Sequence, residues 1–106
     1  MAATETITSV QGDRYNAVWL TCQVGRTAGT DEFLVRVNAP TYELPLPFYV
    51  QAALVEAPDI ETAKTADGWV KVILVEQHED ETSTVKVLGE PISFGPNIRV
   101  PDSFLR

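Results

Sequence analysis

Apolar and polar residues alternate along two parts of the chain in a way that predicts two β-hairpins. In residues 15–24 (YNAVWLTCQV), Val18, Leu20, Cys22 and Val24 fall at every second position and share one face of a strand. Residues 31–38 (DEFLVRVN) place Phe33, Val35 and Val37 together in the same way. Between them lies GRTAGT, where Gly25 and Gly29 can take positive φ. Pairing Val24 with Asp31 sets Cys22 against Phe33, Leu20 against Val35 and Val18 against Val37. A one-residue slip would turn one of these apolar faces outward.

The second hairpin joins residues 69–77 (WVKVILVEQ) to 82–88 (TSTVKVL) through the polar turn His78-Glu79-Asp80-Glu81. Pairing Gln77 with Thr82 opposes Leu74 to Val85 and Val72 to Val87 on the core face. Ile73 then faces Lys86, and Val75 faces Thr84, on the outer side. Strand 69–77 is apolar on both faces, which predicts a central or covered position.

The remaining segments follow from their breakers. Residues 6–11 form a candidate opening strand. Residues 39–47 (APTYELPLP) hold three prolines, so they predict extended coil and not a regular central strand. Residues 48–57 alternate as a strand through Phe48, Val50, Ala52 and Leu54, although VQAALVEA also contains good helix formers. The strand is the favoured reading. Residues 58–68 (PDIETAKTADG) fit a short helix, started by Pro58 and stopped by Gly68. The tail predicts two short β segments around Gly95-Pro96-Asn97, closed by Pro101.

Composition reinforces β structure, because Val, Ile and Thr total 29 residues against 8 Leu. The fold class expected is mainly β: a small antiparallel β-sandwich or partly closed barrel with at most one or two short helices. At 106 residues the chain fits a single domain, 1–106, with residues 1–4 flexible. The aliphatic runs are far shorter than the roughly 20 residues that span a bilayer. Residues 1–10 carry no Lys or Arg and no long apolar stretch, so a cytoplasmic protein is expected.

Candidate chemistry is sparse. One cysteine excludes an intramolecular disulfide, and one histidine removes most metal and acid–base constellations. No nucleophile elbow, phosphate loop or paired Cys motif is present. Cys22 reads as an inert core thiol. The run Glu76-Gln77-His78-Glu79-Asp80-Glu81 could be imagined as a mixed His/carboxylate metal site, but it lacks calcium-loop spacing and reads as a solvated turn. No metal, no cofactor and no enzymatic activity are expected.

Charge points toward a partner. Fifteen acidic against eight basic side chains give a net charge of −7. Residues 54–106 carry ten acids and five bases, residues 1–53 five and three. This balance disfavours binding to nucleic acid and suits a basic protein, although acidity also serves solubility alone. No membrane partner is expected. The hairpin register above sends Tyr15 and Trp19 to the outer face, with Arg36 opposite Trp19 and Leu34 diagonal to it. Trp, Tyr and Arg are enriched at binding hot spots. The candidate partner-binding residues are therefore Tyr15, Trp19, Leu34 and Arg36, with Glu79, Asp80 and Glu81 as a separate steering element. The competing reading is that another part of the chain covers this face and makes Trp19 core. Trp69, at the start of a central-looking strand, is expected in the core.

The segment AVWLTCQVGRTAGTDEFLVRVNAPTYE, residues 17–43, resembles immunity protein family 8 of polymorphic and contact-dependent toxin systems. The features shared are a strand ending in Val24-Gly25, a loop containing Gly29, a strand bearing Phe33, Val35 and Val37, and the dipeptide Ala39-Pro40. The resemblance implies a small inhibitor that masks a toxin, and it implies no catalytic residues. The function expected is that of a small acidic protein-binding domain, an inhibitor or immunity protein docking on a basic protein. The alternative is a structural assembly module, such as a phage virion component, that pairs subunits through edge strands.

Overall fold

The alternating stretches build one curled antiparallel sheet, open along one side as a half-barrel. The computed structural model describes residues 16–29 and 31–106; the candidate strand 6–11 and the segment 1–4, expected to be flexible, lie outside them. The strands in chain order are β1 (Ala17–Arg26), β2 (Glu32–Val37), β3 (Leu46–Gln51), β4 (Val55–Glu56), β5 (Thr65–Gln77), β6 (Thr82–Val87), β7 (Glu90–Pro91) and β8 (Asn97–Pro101). Across the sheet they run β7-β3-β2-β1-β5-β6-β8, and β4 pairs with β5. The helical content is two three-residue 3-10 turns, Ala52–Leu54 and Asp102–Phe104. The mainly β, partly closed architecture expected from the pattern is the one present.

Inside the curl, alternate residues along the longer strands are buried. Leu20, Val24, Val35, Phe48, Val70, Val72, Val85, Ile98 and Val100 form the centre, and Phe94 meets Phe48 edge-to-face at 6.2 Å. Tyr42, Phe33 and Leu105 pack against this cluster from its margins.

The first hairpin exists, but in another register. Val24 pairs with Val35 and Arg26 with Phe33, a slide of four residues from the expected pairing of Val24 with Asp31. An even slide keeps every side chain on its face, so the hydrophobic pattern cannot distinguish the two registers. The turn decides. The Thr27 hydroxyl accepts from the Gly29 N–H at 3.1 Å and donates to the Glu32 carbonyl at 3.0 Å, closing a tighter loop that lets Gly25 and Arg26 join the ladder. The slide frees the first half of β1 on that side. Leu105 and Arg106 fill the space: Leu105 bridges to Leu20, and Trp19 and Arg106 exchange two backbone hydrogen bonds of 2.9 Å. The end of the chain thus crosses from β8, at one sheet edge, to the middle strand.

In the second hairpin Val72 pairs with Val87, Ile73 with Lys86 and Leu74 with Val85, as expected. Beyond Leu74 a bulge intervenes, so Glu76, not Val75, faces Thr84, and Gln77 faces Ser83 instead of Thr82. Val75 is the extra residue and stands 54 % exposed. β5 is an interior strand, as its two apolar faces predict.

Three local expectations change. Residues 58–62 turn without forming a helix: Ile60 and Thr62 donate to the carbonyls of Ala57 and Asp59, and the Thr62 hydroxyl bonds Asp59 as well. Gly68 is no helix stop. It lies within β5 where β4 pairs closely alongside, and a Cβ there would sit 2.5 Å from the Glu56 carbonyl oxygen. The favoured strand over 48–57 ends at Gln51, where the Ala52–Leu54 turn breaks it. Pro47, assigned to coil, belongs to β3. Its carbonyl accepts from Ile92, just past β7, so its missing N–H points to that margin side and not into the ladder with β2.

Candidate functional site

The outer face of the sheet is where the expected partner-binding residues fall, and the register redistributes them. Tyr15 lies outside the described residues. Trp19 is half-buried on the outer face. Arg36 stands opposite Gln23 and Pro47, and Leu34 opposite Gly25 and Tyr49. Four residues of β1 separate Gln23 from Trp19, about 13 Å at strand rise. Trp19, Leu34 and Arg36 therefore do not form one patch; the four-residue slide that closes the Thr27 turn carries Arg36 away from Trp19.

A different set of cations surrounds Trp19. Lys71, its partner across β1 and β5, places Nζ 5.7 Å from the ring centre. The Arg106 guanidinium lies 5.8 Å from the Trp19 ring and 4.4 Å from the Trp69 ring. Arg106 also pairs with Glu56 on β4. The backbone exchange between Trp19 and Arg106 holds the guanidinium near both indoles, and β4 brings the carboxylate. Each such cation–π contact contributes about 0.5–1 kcal/mol at an exposed site.

Trp69 is thus not a core residue. It is half-buried on the outer face opposite Thr21, because its odd position in β5 has the parity of Lys71 and Ile73, opposite to Val70 and Val72. That parity was available in the chain. Arg106 gave no such signal, since only the crossing of the tail brings it here. Beside the guanidinium is a cavity of about 390 Å³ whose lining includes Thr21, Glu56, Asp67 and Trp69.

The acidic turn stands at the far end of β5, with Glu79, Asp80 and Glu81 all exposed. Its three charges are not equivalent. Asp80 accepts from the Thr82 hydroxyl at 2.6 Å and pairs with Arg99 at 3.0 Å. The Thr82 hydrogen bond, followed by the bond and charge of Arg99, holds the Asp80 carboxyl below its ordinary value of 3.8. Glu79 and Glu81 have no ion pair among the described residues. Glu81 takes a left-handed φ of 66° and its carbonyl accepts from the Asp102 N–H, which ties the tip to the 3-10 turn.

Cys22 is buried in the core. Burial, and secondarily the Asp67 carboxylate, push its thiol from 9.0 up to about 12, so it stays protonated at neutral pH. His78 bonds Thr84 through Nε2 at 2.8 Å and approaches Glu76 at 3.8 Å. Among the described residues, no group of three or more His, Cys, Asp or Glu gathers in the manner of a metal site. No helix among them is long and apolar enough to cross a membrane.

The sheet's margins are short or occupied. On β8, the Arg99 N–H donates to the Tyr42 hydroxyl at 3.0 Å, and its carbonyl accepts from Thr41 at 3.3 Å. The opposite margin is the two-residue β7, which ends in Pro91. The chain matches no protein family, no curated protein and no solved structure.

Proposed function

We propose that this is a protein-binding domain, an inhibitor of the immunity-protein kind, that docks on a basic partner through the outer face of its sheet. The observation that carries the reading is the pair of half-buried indoles, Trp19 and Trp69, fastened around Arg106 on that face. Among the described residues there is no second sheet and no helix of seven or more residues to cover them. Aromatic rings held in place lose little entropy on docking and are the usual anchors of an interface. The net charge of −7, with Glu79 and Glu81 unpaired among the described residues at the hairpin tip, would speed encounter with a basic surface. The resemblance of residues 17–43 to immunity protein family 8 points the same way. The reading needs neither metal nor cofactor and involves no catalysis.

The alternative, assembly through edge strands, is weighed down by the margins. The Thr41 and Tyr42 side chains occupy the polar groups of Arg99 on β8, and β7 offers only two residues.

The test is co-expression with the product of the adjacent gene, since inhibitors tend to be encoded beside their targets. A 1:1 complex that weakens as salt rises, and dissociates faster with Trp19→Ala, is expected. A stable homo-oligomer with no such complex would overturn the reading.

A further inference from the structure

We infer that the cavity beside Arg106 receives an arginine side chain of the basic partner, with Asp67 as its counter-ion and Trp69 as its wall. This rests on the docking reading above and names the group that is recognised.

The charge count at the cavity makes the argument. Glu56 and Asp67 bring two carboxylates, and Arg106 brings one guanidinium, which is paired with Glu56. Asp67 has no cationic partner among the described residues. The cavity therefore carries a net charge of −1, and one further cation makes it neutral. Its volume of about 390 Å³ leaves room for a side chain.

The resident guanidinium shows what these walls hold. At 4.4 Å from the Trp69 centre and paired with Glu56, it combines indole stacking with carboxylate pairing. Arginine suits both contacts better than lysine, because its planar fork stacks on rings and grips a carboxylate with two N–H donors. Arg106 itself is paired with Glu56, and its backbone is fixed by two hydrogen bonds to Trp19. The site is also built on close packing. Gly68 lets β4 approach β5, and this brings Glu56 beside Trp69 in the ladder. Docking at this cavity would bring a partner's surface onto the face that carries Trp19.

The probe is a blocked hexapeptide with two arginines, titrated at low salt into the full chain while the two indole N–H resonances are followed by NMR. A twin peptide with citrulline in place of arginine keeps the shape and removes the charge. The Trp69 resonance should shift saturably with the arginine peptide and stay still with the citrulline peptide. Asp67→Asn should weaken the response by about fivefold or more, the factor that corresponds to roughly 1 kcal/mol. Glu90→Gln, which removes an exposed charge on β7, should leave it unchanged. No shift, an equal response in the Asp67→Asn protein, or an equal loss in the Glu90→Gln protein would overturn the site. If the co-expressed partner binds through the Trp19 face but ignores Asp67→Asn, this site falls and the docking reading remains.

Discussion

Ser83, fully buried on β6, donates its hydroxyl to the Asp102 carboxylate at 2.5 Å, and so pins the last 3-10 turn to the core. That turn carries the chain from β8 toward Trp19, so the bond sits upstream of the whole indole cluster. Ser83→Ala leaves the carboxylate without its buried donor and should cost about 1–3 kcal/mol. Thermal unfolding should show a drop of about 5 °C or more. The fluorescence of Trp19 and Trp69 should shift to longer wavelength in the native baseline if the tail loosens with it.

Gly68 tests the close approach of β4 to β5. Alanine there would set its Cβ 2.5 Å from the Glu56 carbonyl oxygen and 3.0 Å from both Val24 and Ala57. Overpacking of this kind costs about 1–3 kcal/mol. Gly95→Ala is the matched control, because nothing lies within 4 Å of a Cβ at that position. Denaturant melts should separate the two variants clearly.

Cys22 predicts an alkaline limb. Its thiol titrates at about 12 in the fold against an ordinary 9.0. Below pH 9 the native and unfolded chains both keep the proton and the thiol adds no slope. Above it the unfolded chain ionises first, so stability falls with rising pH, by up to about 1.4 kcal/mol per pH unit. Cys22→Ala should flatten that part of the profile, whatever it costs in packing. Iodoacetamide at pH 8 should label the native protein far more slowly than the unfolded one.

Asp80 predicts the opposite limb. Its folded carboxyl titrates below 3.8, so the stabilisation is present above that value and is lost as pH falls through the lower folded one. NMR titration of the side-chain carboxyl carbon should place the midpoint below 3.8. Thr82→Val, which removes the largest single cause, should move it back up, and so should Arg99→Gln, which removes both a hydrogen bond and a charge.

The parts of this fold that could be read from the chain are those governed by period-two alternation. Leu20, Val24, Val35, Val72 and Val85 were assignable to the core because a strand offers only two faces. The four-residue slide between β1 and β2 was not legible, since any even shift satisfies the same pattern and a threonine hydroxyl in the turn chose between them. Trp69 shares the parity of Lys71, which places it outside, while the hydrophobicity of its strand points to the core; position prevails. Arg106 was beyond reach, because its place depends on a tail that runs across the barrel to a strand laid down at the start.

That tail has a consequence for how the protein comes to be folded. The neighbour that Leu20 needs on its open side is Leu105. While the chain is being synthesised, β1 can pair with β2 and later with β5, but its first half keeps a bare flank until Leu105 and Arg106 arrive. Contacts this distant in sequence are entropically costly to close and slow to form, on the order of milliseconds to seconds for β topologies. Until Leu105 and Arg106 dock, the backbone N–H and carbonyl of Trp19 lack the partners they have in the finished sheet and stand open to any other extended segment nearby.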